Sequence, residues 1–147
     1  IFCTRLLNNL PPLFYEDGEQ TRDLSFVEDI ARANLLAAKT DALDGLPVNV
    51  GSGKAVSVRE IAQRVSDALG MRIPPEINGE FRPGEMRHLI SGTERIRAAG
   101  YVPQVDLQEG LGRYLDWIRS QSDVRDYFSE AAEILRNKGI VHRVTAS

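Results

Sequence analysis

The clearest periodicity lies between Ser57 and Gly70. Val58, Ile61, Ala62, Val65, Ala68 and Leu69 recur at three- and four-residue spacing, the apolar stripe of an amphipathic helix. Ser57 and Glu60 read as a capping box, with Ser57 capping and Glu60 reaching back, and Gly70 ends the helix. Leu107, Leu111, Leu115 and Ile118 make a second stripe, with Trp117 beside it. Asp126 to Lys138 predicts a last amphipathic helix ended by Gly139, and Thr93 to Ala99 a short one closed by Gly100. The segment Val27 to Lys39 is different. Val27, Ile30, Ala31, Ala33, Leu35, Leu36, Ala37 and Ala38 occupy nearly its whole circumference, which predicts a helix buried on several sides.

Between these helices the pattern is extended or turn-like. Phe2 to Leu10 reads as the tail of a helix stopped by Pro11-Pro12. Leu13-Phe14-Tyr15 is a short strand, Glu16-Asp17-Gly18 a turn, and Thr21 to Phe26 extended. Leu46 to Val50 predicts another strand, followed by a loop at Gly51-Ser52-Gly53. Pro74-Pro75 and Asn78-Gly79 mark a loop or short strand, and Arg82-Pro83-Gly84-Glu85 is a further turn. Strands feeding helices, then mostly helix, indicate an α/β fold: part of a sheet plus a helical appendage.

Composition narrows the function classes. The 147 residues suffice for one domain with a core, and 42% apolar with 27% charged residues is globular. A net charge of −3 argues against a general nucleic-acid or anionic-membrane binder. Cys3 is the only cysteine, which leaves no intrachain disulfide or thiolate cluster and fits a reducing, cytoplasmic setting. No apolar run approaches membrane-spanning length. The chain starts at Ile1 without a methionine, as a processed product or a piece of something longer would.

Candidate motifs separate quickly. Gly51-Ser52-Gly53-Lys54 suggests a phosphate loop, but a dinucleotide fingerprint needs Gly where Val56 stands. A Walker loop needs Gly at position 48 and Ser or Thr at position 55, where Val48 and Ala55 stand. A structural turn is the better reading. The segment after Ser57–Gly70 contains Pro74-Pro75 and cannot supply a recognition helix. His88 and His142 have no partner at metal spacing. Arg22 and Arg82 each follow a Gly-containing turn or loop. Two planar guanidinium forks suit a diphosphate, and Glu85, across the Pro-Gly turn, suits the paired hydroxyls of a ribose. Spacing alone leaves surface salt bridges as the simpler alternative.

Three stretches then carry a resemblance. "EDGEQTRDLSFVEDIARA" resembles the G-x-Q-x-R-D-[FY]-x-x-V-x-D-x-A-x-A segment of the extended short-chain dehydrogenase/reductases. "VNVGSGKAVSVREIA" is similar to that family's N-x-G-x-G-x-x-x-S-x-x-E-[IL] stretch. "RPGEMRHLISGTERIRAAGYVPQVDLQEGLGRYLDWI" resembles its R-x-G-[DE], G-[YW]-x-P and E-G-L run. The resemblance extends to about Gln121 and points to the NAD-dependent nucleotide-sugar epimerases and dehydratases, of UDP-sugar or dTDP-rhamnose type. Departures are Leu24 for an aromatic, Gly92 for Asp, and Leu89 for an aromatic.

What the resemblance implies is specific. The fold is the C-terminal part of an extended Rossmann-type enzyme, with residues 1–50 holding the last elements of the dinucleotide-binding domain and 51–147 the substrate-binding lobe. Arg22 and Arg82 grip the diphosphate of a nucleotide-diphosphate sugar, and Glu85 holds its ribose. The family's glycine-rich NAD loop and Tyr-x-x-x-Lys pair are not in this chain: Tyr15, Tyr101, Tyr114 and Tyr127 are followed four residues on by Glu19, Val105, Ile118 and Ala131. NAD is therefore expected on an N-terminal part of a parent enzyme, and this chain alone is expected to be inactive. A homo-oligomer or an associated N-terminal fragment is expected to cover the helix at Val27–Lys39. A standalone binding or interaction module without chemistry is the alternative.

Overall fold

The computed structural model describes residues 1–143. Helix α3 (Val58–Leu69) forms where the strongest stripe lies. Ser57 Oγ accepts the backbone N–H of Glu60 at 3.1 Å, and Gly70 closes the helix at φ 68°, where a side chain would strain. The reciprocal half of the capping box does not form. The Glu60 carboxylate takes Arg64 Nε at 2.9 Å and Nη2 at 2.7 Å instead. A guanidinium one turn away offers a full positive charge and two donors, where a backbone amide offers a single neutral one.

Helix α5 (Leu107–Arg119) is capped by Asp106, whose carboxylate accepts the Glu109 N–H at 2.8 Å. Helix α1 (Phe2–Leu7) ends before the prolines, because the chain turns at Asn9 with φ 58°. The main core joins these three helices: Cys3 and Leu6 from α1, Val65 from α3, and Leu115 and Ile118 from α5. Burying each large side chain contributes about 1.5–3 kcal/mol. Trp117 stays out of this core, stacked on Tyr114 with ring centroids 5.6 Å apart.

Helix α2 (Val27–Ala37) forms as expected but is not buried on several sides. Only Asp29 and Ala33 are buried, while Val27 is 70% and Leu35 59% exposed. The reason is local supply. α2 meets only a small second core of Ala33, Leu43, Ile96 and Tyr101, with α4 (Glu94–Ala98) providing Ile96. Asp29 ties the helix down, its carboxylate accepting Arg32 Nη2 at 2.6 Å and the amides of Gln104 and Val105 at 2.8 and 3.1 Å. The strand expected at Leu46–Val50 is likewise not formed. A strand requires a neighbour to complete its ladder, and among the described residues none pairs with it. Val48 and Val50 still pack on the second core, and Arg95 donates to the Pro47 carbonyl.

The strands are all two residues long. β1 (Leu13–Phe14) runs parallel to β4 (Glu76–Ile77). β2 (Thr21–Arg22) is the centre of a three-stranded sheet, antiparallel to β3 (Val56–Ser57) and parallel to β6 (His88–Leu89). β5 (Glu80–Phe81) pairs antiparallel with β7 (His142–Arg143), which follows helix α6 (Phe128–Asn137). Among the described residues no helix is long and apolar enough to cross a membrane.

Candidate functional site

The central position of β2 brings the distant motifs together. Arg22 leaves this strand and its Nη2 donates to Glu85 Oε1 at 2.9 Å, while Nη1 donates to the carbonyls of Thr21 and Arg87 at 2.8 and 3.2 Å. Arg82 and Glu85 stand at the two ends of one tight turn. The Glu85 amide donates to the Arg82 carbonyl at 3.2 Å, and Gly84 adopts φ 79°. Arg82 itself does not join the Arg22–Glu85 pair. Its guanidinium lies over the Tyr15 ring, 5.4 Å from the centroid, and its buried Nε and the buried Tyr15 hydroxyl have no hydrogen-bond partner among the described residues. Among the described residues Arg82 has no carboxylate partner within salt-bridge distance.

Arg87 and Asp23, with Arg59 in support, fasten this arrangement. Arg87 spans to the opposite turn, its Nη1 donating to Glu16 Oε2 at 2.7 Å and its Nη2 to Asp17 Oδ2 at 2.6 Å. The Arg87 guanidinium holds the Asp17 carboxyl below its usual range. Arg59 grips the other side of that turn through Glu19 and the Asp17 carbonyl at 2.7 and 2.6 Å. Asp23, next to Arg22, is the second fastener. Its Oδ1 accepts the Ser52 amide at 2.9 Å and the Ser52 hydroxyl at 2.5 Å; its Oδ2 accepts the amides of Gly53 at 3.0 Å and Ser91 at 3.2 Å. Burial pushes the Asp23 carboxyl up, but these donors outweigh it and leave it below the ordinary carboxylate value. Position 51 must be glycine here: a Cβ would strike the Asp23 carboxylate and stand 2.5 Å from the Ser91 side chain. The signal for Asp23 was its place in the R-D pair of the first motif; its partners, 29 to 68 residues away, were not legible.

The same contacts decide the glycine-rich loop. The amides of Ser52 and Gly53 are spent on Asp23, and that of Lys54 on Ser52 Oγ at 3.1 Å. No free row of N–H groups is left in this loop to cradle a phosphate. Among the described residues no cluster of metal ligands occurs either.

Beyond the polar cluster, a cavity of about 370 Å³ opens between α2, α3 and α5, lined by Leu24, Phe26, Val27, Ile61, Leu107 and Tyr114. It contains neither Arg22 nor Arg82 and not Glu85, and the one arginine on its wall, Arg64, is paired with Glu60. A diphosphate needs cationic donors, so the polar cluster and not this apolar cavity is the candidate site. Leu24, which stands where the resembling family has an aromatic, lines the cavity.

Residues 1–51 match the model of the NAD dependent epimerase/dehydratase family. A putative UDP-glucose 4-epimerase of Methanocaldococcus jannaschii is 33% identical over 124 residues, 83% of this chain and 39% of that protein. The fold is similar to UDP-glucose 4-epimerase from Thermotoga maritima solved with UDP-glucose, with a TM-score of 0.74 and 29% identity over 80% of this chain and 38% of that one. It is also similar to UDP-glucose 4-epimerase of Thermus thermophilus in complex with NAD, with a TM-score of 0.67 and 30% identity over 81% of this chain and 39% of that one. The chain thus spans about two fifths of the length of the proteins it matches. Motif order, sequence identity and fold agree: the chain belongs to the NAD-dependent epimerase/dehydratase family of extended short-chain dehydrogenase/reductases and corresponds to a C-terminal portion of its members.

Proposed function

We propose that this chain is the substrate-binding part of a nucleotide-sugar 4-epimerase acting on a UDP-sugar, and that it grips the diphosphate with Arg22 and Arg82 and the ribose with Glu85. The observation that carries this reading is Arg82. It sits at one end of a turn three residues from Glu85, over the Tyr15 ring, with its buried Nε unpaired among the described residues. A guanidinium with no carboxylate partner among the described residues keeps its terminal N–H donors for an anion. Arg22 is pre-aimed from the centre of the sheet by two carbonyls, so little side-chain freedom remains to be lost when a ligand arrives. Glu85 accepts Arg22 on one oxygen, Oε1, which leaves the other to accept a hydroxyl. The relatives' names supply the substrate class, UDP-glucose.

The chain's own residues bind and orient; none is assigned to the change at the sugar carbon. With no Tyr-x-x-x-Lys pair and no loop that fits NAD, the base and the cofactor belong to another part of a parent enzyme. In that parent, α2 and the extended segment Leu46–Val50 complete the dinucleotide-binding domain.

The test is steady-state kinetics of the parent enzyme. Arg22→Ala and Arg82→Ala should each raise KM for the UDP-sugar by about 10- to 150-fold, the equivalent of about 1.5–3 kcal/mol for a hydrogen bond to a charged group. Turnover should change less, because the diphosphate contact serves ground and transition states alike. An unchanged KM in both variants rejects the clamp.

A further inference from the structure

Arg82 is presented by β5, and the segment that follows α5 grips its surroundings at three points. First, β7 pairs with β5 in the register Phe81–His142, and the two rings lie 5.9 Å apart. Second, Arg136 of α6 reaches Glu80, two residues before Arg82, with Nε on Oε1 at 2.5 Å and Nη2 on Oε2 at 3.1 Å. Glu80 is 8% exposed and also takes Asn78 Nδ2 at 2.6 Å. Such a bidentate fork fixes direction as well as distance. Third, Phe128 at the start of α6 packs on Tyr15 with centroids 6.2 Å apart, and Tyr15 is the ring on which Arg82 rests. α6 is anchored in turn through Asp126 and Ser129, each 3.3 Å from Nη1 of the buried Arg5. All these contacts come from residues beyond Gln121, where the motif resemblance stops.

We propose that the C-terminal segment α6–β7 is a brace that positions Arg82 for the diphosphate, with Arg136 and Phe128 as positioning residues. This rests on the two-arginine reading above. The brace acts at both ends of the arginine. Arg136 and β7 set where its backbone leaves β5; Phe128 sets the ring over which its guanidinium lies. Releasing either lets the long side chain swing away, and the ligand must then order it on binding.

The experiment uses the full-length protein and two probes, UDP and uridine, with Kd measured by calorimetry for the first and competition NMR for the second. Arg136→Met should weaken UDP about three- to tenfold, part of the full loss of a charge-assisted bond, and leave uridine unchanged. On an Arg82→Ala background it should weaken UDP no further, because nothing remains to position. Equal losses for UDP and uridine, or losses that add to that of Arg82→Ala, mean that α6 only stabilises the fold, and overturn the proposal. If Arg136→Met does not fold, with the buried Glu80 charge left without its cation, Phe128→Leu removes the ring behind Tyr15, and with it the contact to Arg5, leaves the Arg136–Glu80 pair in place, and is judged by the same two criteria. Arg82→Ala alone distinguishes the levels: if it leaves UDP affinity intact, the clamp itself falls and the brace with it.

Discussion

Asp23→Asn is the sharpest test of how the site is held. The wild-type carboxylate accepts four hydrogen bonds, two on each oxygen, from Ser52, Gly53 and Ser91. The amide has the same shape but only one acceptor oxygen. In either orientation its NH2 group faces donors: the amides of Gly53 and Ser91 in one, the amide and hydroxyl of Ser52 in the other. The second orientation costs less, since the hydroxyl can turn to accept, yet the Ser52 amide is still stranded. A hydrogen bond to a charged group contributes about 1.5–3 kcal/mol, and stranding a donor adds desolvation, so the expected loss is about 2–4 kcal/mol. That is a large fraction of a typical stability of about 5–15 kcal/mol. Urea unfolding at neutral pH measures it, and hydrogen exchange should show lost protection at the Ser52, Gly53 and Ser91 amides. The pH dependence gives a second reading. The Asp23 carboxyl lies below its ordinary value in the folded protein, so its contribution is complete above the unfolded value of about 3.9. It is lost as pH falls through the lower folded value. The gap between wild type and Asp23→Asn should therefore close below about pH 4. A loss under about 0.5 kcal/mol at neutral pH, within the usual range of a surface change, with protection at the three amides intact, would refute the fastener.

The fold supports two further predictions. The 147-residue chain made alone should self-associate or hold a preceding segment, because Val27 and Leu35 on α2 are largely exposed and each forgoes about 1.5–3 kcal/mol of burial; a monodisperse monomer by light scattering would contradict this. Ser57→Ala should lower stability by about 1 kcal/mol through loss of the cap on α3, read as a shift in the urea midpoint at constant slope, and no shift would mean that the cap is replaced by water.

What could be read from the sequence was local. The stripes of α3 and α5, the cap at Ser57 and the left-handed stop at Gly70 depend on residues within one or two turns of each other, so their physics is complete inside the segment. Arg22, Arg82 and Glu85 stood out as candidates for another reason: each lies in a sequence motif, Arg22 in β2 after a turn and Arg82 and Glu85 at the ends of one. Partnership was not legible. The Arg22–Glu85 pair spans 63 residues, Arg87–Asp17 spans 70 and Asp23–Ser91 spans 68, and no periodicity encodes such distances. Glu60 had two feasible partners, and the charged one won. The circumference of α2 predicted a helix buried on several sides, yet burial is a property of neighbours, and the described residues cover only the face with Asp29 and Ala33. Leu46–Val50 has the composition of a strand without a ladder to join. Which side chains meet, which amides are spent, and whether an apolar face is covered are settled only when segments dozens of residues apart occupy the same space.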